Sequence, residues 1–268
     1  MADEPENNLP LVVLSIAGVD PSGGAGVLAD VRTFAAFGCF GTAAITSLTF
    51  QNTMGVFGAL HQTAATVRAQ VTAIIEDFSL NGAKTGMLPT GEVIEEVGRL
   101  FRINDLPSPV VDPVMRATSG DDLIDDDAVR YLISDLFPVA RVVTPNIFEA
   151  ERLTGLTITD EAGMRMAARA IRGLGANAVL VKGGHLSLSE EAIDVLDEAG
   201  KVTVFRDELI KGGEVHGSGC TLSAAIAACL AQGSSLEASV HAAKSFVTDA
   251  IRRSPALGHG ARPLYVDT

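Results

Sequence analysis

The segment His216-Gly217-Ser218-Gly219-Cys220-Thr221-Leu222-Ser223 sets two glycines around a hydroxyl residue directly before an Ala-rich stretch. Glycines on either side of Ser218 let successive backbone N–H groups point at one spot, and the positive end of a following helix adds to that spot's attraction for an anion. Such a cradle suits phosphoryl transfer, where catalysis is mostly positioning and neutralisation of equatorial oxygens. Gly217, Ser218 and Gly219 are therefore candidate catalytic residues as an anion hole, and Cys220 stands where a general base could reach an acceptor hydroxyl. A free thiol ionises near about 8.5; a helix N-terminus pulls that value down and nearby phosphates push it up. Taken alone, the same residues only open a helix and bury a small apolar cysteine.

A second glycine-rich stretch, Gly18-Val19-Asp20-Pro21-Ser22-Gly23-Gly24-Ala25-Gly26, leaves an apolar run and enters a helical pattern bearing Asp30. Glycine there permits close approach of a ligand, and Asp30, one turn into the helix, can point a carboxylate back toward a pocket. The stretch has neither the G-x-G-x-x-G spacing of a dinucleotide fold nor the terminal Lys and Ser or Thr of a P-loop. By itself it reads equally as a tight turn with a solvated aspartate. Lys182 closes an apolar run, where a fixed ammonium offsets phosphate charge or simply ends a strand in solvent. Asn146 and Glu149, in Thr144-Pro145-Asn146-Ile147-Phe148-Glu149, read as a helix start with a capping glutamate.

The elements that must position these residues alternate regularly. Residues 11–17 form an apolar run that reads as a strand buried on both faces, and 27–37 carry apolar side chains at helical spacing closed by Gly38. The same grammar predicts strands at 42–50, 82–87, 109–114, 139–143 and 178–182, and a hairpin from 193–196 and 201–205. It predicts helices at 66–78, 90–101, 125–136, 147–153, 161–174, 221–230 and 236–254. The expectation is an α/β fold, a three-layer α/β/α sandwich with a mostly parallel central sheet, and ligands at the carboxyl ends of its strands. Residues 1–10 read as a flexible start and 11–268 as one domain.

Composition narrows the function classes. A net charge of −13 without clustered Lys or Arg argues against nonspecific nucleic-acid binding. Cys39, Cys220 and Cys229 are too scattered for a disulfide framework or a zinc site and fit a reducing cytoplasm. The acidic, polar residues 1–10 carry no secretory signal, and no apolar run is long enough to span a membrane.

Taken in order, residues 18–30, Gln51-Asn52-Thr53, Lys84-Thr85-Gly86-Met87-Leu88, Val111-Asp112-Pro113-Val114-Met115, Thr144-Pro145-Asn146 with Glu149, Lys182-Gly183-Gly184-His185 and 216–223 resemble the hydroxymethylpyrimidine/phosphomethylpyrimidine kinases of thiamin biosynthesis, a ribokinase-like family. Gly258-His259-Gly260 and Pro263 resemble that family's C-terminal signature. The resemblance implies ATP-dependent phosphorylation of 4-amino-5-hydroxymethyl-2-methylpyrimidine and of its monophosphate, with Mg²⁺. It implies that Asp30 and Gln51 bind the pyrimidine edge, that Ala25, Met87 and Val114 complete the pocket, that Asp112 and Glu149 organise magnesium, and that Asn146, Glu149, Lys182, Gly217 and Gly219 serve the nucleotide. His185 and His216 fit local hydrogen bonding. A homodimer in the cytoplasm is expected.

The cysteine at 220, where most of the superfamily carries aspartate, sides with the pyrimidine branch, although cysteine-bearing pyridoxal kinases also exist. Pyridoxal phosphorylation is therefore the alternative activity, a non-catalytic pyrimidine sensor the alternative of another class, and a dinucleotide oxidoreductase the remaining α/β option. The chain departs from the family pattern at Glu214-Val215, where Asn-Thr is usual, at Ser218, which replaces threonine but keeps the hydroxyl, and at Thr118, where many relatives have lysine. Glu214 would weaken ATP binding or recruit a cation, and Thr118 removes a phosphate contact.

Overall fold

The apolar run at the start becomes strand β1 (Val12–Val19), buried on both faces as its lack of alternation requires. A computed structural model describes residues 9–117, 120, 122–124, 126–184, 191–210 and 215–266. Among them the chain continues as α1 (Gly26–Ala36), β2 (Phe40–Asn52), β3 (Gly55–His61), α2 (Ala64–Ile75), β4 (Leu80–Thr85), α3 (Gly91–Ile103) and β5 (Val110–Val111). Next come α4 (Asp126–Tyr131), β6 (Val142–Val143), α5 (Ile147–Thr154), α6 (Glu161–Gly173), β7 (Ala178–Lys182), β8 (Glu191–Glu198) and β9 (Lys201–Glu208). The run closes with β10 (Val215–His216), α7 (Ser218–Ala231), α8 (Leu236–Arg253) and β11 (Arg262–Pro263).

The main sheet has the order β3-β2-β1-β4-β5-β6-β7-β8-β9. From β2 to β7 neighbours run parallel, while β3 at one edge and β8–β9 at the other pair antiparallel. Successive residues of a strand face opposite layers. Val13, Val110, Val142, Ala178 and Leu180 accordingly pack with Phe34 of α1 and with α7 and α8. Leu14, Ile16, Val111, Val143, Val179 and Val181 pack with α2, α3, α5 and α6. This is the three-layer α/β arrangement expected.

Several boundaries differ from the expectation for identifiable reasons. The strand expected at 109–114 pairs only at Val110–Val111: Asp112 N–H makes the last ladder bond, to the Thr85 carbonyl, and Pro113 has no N–H to continue it. Strand β3 escaped the reading altogether: its glycines and its exposed Phe57 and Leu60 give no apolar alternation. The hairpin is longer than expected, since its polar outer residues hide the period. The short pair β10–β11 is held by contacts distant in sequence, with Leu264 N–H donating to the His216 carbonyl at 3.1 Å and Ala261 N–H to the Thr53 carbonyl at 2.9 Å.

Strand β1 lies between β2 and β4, so successive connections leave it in opposite directions across the sheet. Such a reversal opens a crevice beyond the carboxyl ends of the strands. Into it run the loops after β1, β2, β4, β5, β6 and β7, which carry nearly every residue singled out above.

Candidate active site

The anion loop is built by a backbone that only glycine tolerates. Gly217 has φ +89° and a Cβ there would lie 1.8 Å from the Gly24 carbonyl oxygen, so the two glycine-rich loops press directly on one another. Helix α7 starts at once, Thr221 N–H bonding to the Gly217 carbonyl at 2.9 Å. The N–H groups of Ser218, Gly219 and Cys220 belong to its first turn and find no partner in the helix itself. The helix is buried from Thr221 to Cys229, which fixes its axis and so the aim of that turn. Lys182, at the tip of β7, brings Nζ to 3.3 Å from where a Cβ on Gly219 would stand. Burial works against its charge, but Asp112 and Glu149 outweigh burial and raise its pKa, so the loop faces a fixed cation.

Lys182 Nζ donates to Asp112 Oδ1 at 2.8 Å, and Ser223 Oγ, 3.0 Å from the Gly219 and Cys220 carbonyls, lies 3.3 Å from Asp112 Oδ2. Asn146 and Glu149 form a reciprocal cap on α5: Glu149 N–H donates to Asn146 Oδ1 at 2.9 Å and Asn146 N–H to Glu149 Oε2 at 2.8 Å. The capping arrangement legible in the sequence is thus present, and it holds Glu149 buried beside the Asp112–Lys182 pair. Burial pushes the Glu149 carboxyl up to about 7, Asp112 adding to the rise and Lys182 opposing it. Asp112 and Glu149 offer the hard oxygen donors that magnesium prefers. Among the described residues no group of three or more His, Cys, Asp or Glu side chains converges as a metal site. The residues therefore fit an ion that arrives with nucleotide phosphates and keeps its waters, held by one or two carboxylates.

On the other side of Cys220, Asp30 is fully buried rather than facing the crevice. Lys84 Nζ donates to its two oxygens at 2.9 and 2.8 Å, and Ser15 Oγ donates at 2.6 Å. Burial raises the pKa of Asp30 against the pull of Lys84. Burial also opposes the charge of Lys84, yet Asp30 and its neighbours raise the lysine's pKa, so the two groups hold one another by short contacts in a fully buried pair. The sequence did not reveal this role for Lys84. The available signal was a lysine among strand residues that are otherwise apolar or small, a place where a charge needs a partner.

The Cys220 thiol is half-buried and accepts the Gly26 N–H. Burial pushes it up to about 11; Lys84 pulls it down, and Asp30 and Asp112 push it further up. The lowering expected from the helix N-terminus is outweighed, and the thiol rests protonated at neutral pH.

Gln51, at the end of β2, places its carboxamide 3.1 Å from His216 Nε2. His216 Nε2 also meets Asp20 Oδ2 at 2.8 Å, and Asp20 takes further hydrogen bonds from Ser22 and from Ala25 N–H. Burial opposes ionisation of Asp20, but His216 and Ser22 hold its carboxyl below the usual range. Sequence reasoning missed Asp20, whose partner lies far away along the chain. Ala25 is the half-buried N-cap of α1, Met87 lies against Gly18, and Val114 follows Asp112 on the same rim. Gln51, Ala25 and the anion loop are brought together, whereas Asp30 sits beneath them. Thr118, His185 and Glu214 lie outside the described residues.

An anion cradle, a facing lysine, a carboxylate pair and a cysteine at the third position of a helix form one unit at the crevice. The family profile described as phosphomethylpyrimidine kinase matches residues 20–265. The chain belongs to that family. It is thereby a phosphotransferase of the kind that acts in thiamin biosynthesis. It is 44% identical over 94% of its length to the thiamine biosynthesis bifunctional protein ThiED of Geobacter sulfurreducens, of which it spans 51%. It is 43% identical to the hydroxymethylpyrimidine/phosphomethylpyrimidine kinase of Synechococcus elongatus, over 94% of this chain and 96% of that one. Among solved structures, an ADP complex of Bacillus subtilis pyridoxal kinase superposes with a TM-score of 0.89 at 35% identity, covering 96% of this chain and 98% of its own. Among the described residues no helix is long and apolar enough to cross a membrane.

Proposed function

We propose that the chain transfers the γ-phosphoryl group of ATP to the hydroxymethyl group of 4-amino-5-hydroxymethyl-2-methylpyrimidine, and then to the phosphate of that product, giving the pyrophosphate used to build thiamin. The observation that carries this reading is the position of Cys220 between the anion loop with its facing Lys182 and the pocket rim formed by Ala25 and Gln51. Gln51 holds the ring edge, Ala25, Met87 and Val114 bound the ring, and Asp30 sets the charge beneath it through Lys84. Asn146, Glu149 and Lys182 serve the nucleotide. Magnesium, when bound with ATP at Asp112 and Glu149, neutralises phosphate charge.

In the first step the hydroxymethyl oxygen bonds to the γ-phosphorus and the bridging oxygen leaves with its electron pair on ADP. The N–H groups of the 217–220 loop and Lys182 take up charge on the transferred group. The hydroxyl proton passes to Cys220 Sγ in the small thiolate fraction that a thiol pushed up to about 11 keeps near neutral pH, so the first transfer quickens as pH rises toward that value. In the second step the acceptor is a phosphate oxygen already free of its proton near neutral pH, so no base is required. A product-resolved assay with ATP and Mg²⁺, offering the pyrimidine, its monophosphate and pyridoxal in parallel, tests this. Cys220→Ala should slow the first transfer by about 10²–10⁴-fold, the span of general-base catalysis, and leave the second within about tenfold of wild type. Equal loss in both steps would remove Cys220 from the base role.

Pyridoxal, which also carries a ring-borne hydroxymethyl group, is the second reading, favoured by the close superposition on a pyridoxal kinase; turnover of pyridoxal alone would install it. We place the work in the cytoplasm, where ATP is supplied, and in residues 11–268 acting as one domain. A homodimer is supported by the exposed Leu48, Phe50, Phe57 and Leu60 on the β2–β3 hairpin.

A further inference from the structure

The buried contacts around His216 assign a proton to each partner. Asp20 is a carboxylate that already accepts from Ser22 N–H, Ser22 Oγ and Ala25 N–H, so at its 2.8 Å contact His216 Nε2 must be the donor. A ring nitrogen that carries a proton in the ring plane has no lone pair there, so it cannot accept from an amide NH₂. The end of the Gln51 carboxamide that lies 3.1 Å from Nε2 is therefore the oxygen, which shares the His216 proton with Asp20. The other end gives the same answer independently. As placed, that end is the carboxamide oxygen 3.1 Å from Thr49 Oγ1, but Thr49 has one proton and its shorter contact, 2.8 Å, is to the Val19 carbonyl; turning the amide end for end puts the NH₂ there, where the Thr49 oxygen accepts from it.

Oriented in this way, Gln51 has one N–H and one oxygen lone pair left for a ligand. That pair matches a heteroaromatic edge presenting a ring-nitrogen acceptor beside an amino donor. Rotated end for end, the donor and the acceptor would exchange places and the same edge would be opposed. The ring of His216 is itself held in place: a Cβ on Gly24 would come within 2.5 Å of His216 Cδ2, so the imidazole lies against bare backbone, and the His216 carbonyl is tied by Leu264 N–H.

We propose that His216 is a positioning residue which, clamped by Asp20, fixes the orientation of the Gln51 carboxamide and thereby selects aminopyrimidine-type rings over rings that lack the adjacent amino donor. The selection rests on the substrate reading above; the orientation does not.

The test is steady-state kinetics of the full chain with ATP and Mg²⁺ on the hydroxymethylpyrimidine and on pyridoxal, for His216→Ala, His216→Gln and Thr49→Val, with melting temperatures recorded for each. His216→Ala should raise KM for the pyrimidine by about tenfold, the worth of one buried hydrogen bond, and lower the pyrimidine-to-pyridoxal ratio of kcat/KM by a similar factor. KM for ATP should stay within about twofold, a change too small for a lost hydrogen bond. His216→Gln, which keeps an N–H donor, should recover part of the loss. Thr49→Val, which removes the acceptor at the far end of the amide and leaves the anion loop untouched, should shift the same ratio in the same direction. Parallel increases in KM for pyrimidine, pyridoxal and ATP, or an unchanged ratio in the two conservative variants, would overturn the proposal. Wild-type protein that turns over no pyrimidine would instead sink the substrate reading, and the amide orientation would then be decided by neutron or high-resolution diffraction of the Gln51 group.

Discussion

Alkylation of Cys220 across a pH series isolates the balance between burial and charge in the site. Burial pushes the thiol up to about 11 in the ligand-free protein. At pH 8 a thiol with that value is about 0.1% thiolate, against roughly 24% for an ordinary cysteine near 8.5, a deficit of about 240-fold. The more basic thiolate is the better nucleophile, with a Brønsted slope near 0.4–0.5, and over about 2.5 pKa units this restores about tenfold to eighteenfold. Iodoacetamide should therefore modify Cys220 about twentyfold more slowly than a free thiol at pH 8, with a rate climbing about tenfold per pH unit from 7 to 10. Peptide-level mass spectrometry separates Cys220 from Cys39 and Cys229, which are buried and also held above the usual thiol range by desolvation. A midpoint below pH 9 would refute the reasoning, because it would mean that Lys84 and the helix N-terminus outweigh burial.

Two further perturbations separate the scaffold from the site. Gly217→Ala should cut kcat by more than about 100-fold and destabilise by about 1–3 kcal/mol, since it adds both left-handed strain and a clash with the Gly24 carbonyl oxygen. Gly233→Ala, also at positive φ but with open space around it, should cost only about 1 kcal/mol in thermal melts and leave turnover unchanged. Removing either partner of the fully buried Asp30–Lys84 pair, as Asp30→Asn or Lys84→Met, should cost about 3–5 kcal/mol. The double variant should lose far less than the sum; additive losses in a denaturation cycle would show that the pair is not coupled.

Legibility in the sequence tracked how local the determining contacts are. Helix α6 was bounded to within a residue because Asp160 caps it and its apolar face repeats at helical spacing, and β7 was placed at its observed ends by an unbroken apolar run. The anion loop and the cap at Asn146 were visible because their geometry is set within a few residues. Strand β3 was invisible because its apolar side chains face outward, so nothing in its pattern marks a buried side. The Asp20–His216 contact spans 196 positions and Asp30–Lys84 spans 54. Periodicity carries no information at such separations, so the Lys84 contact of Asp30 could not be read from the helix that bears it. The rise in the Cys220 pKa was likewise hidden, since sequence shows the helix start but not the depth at which it lies.

The ties between the ends of the chain also order events in time. Asp20 and Gln51 leave the ribosome long before the histidine that joins them, which follows Asp20 by 196 positions. At about 5–20 residues per second that interval is roughly 10–40 s, and the segment that ties off Thr53 and the His216 carbonyl emerges later still. During that interval the nascent chain can assemble much of its sheet while the crevice lacks its anion loop and its rim. Half-made protein would therefore neither sequester nor phosphorylate its substrates, and competence arrives in a single late step of synthesis.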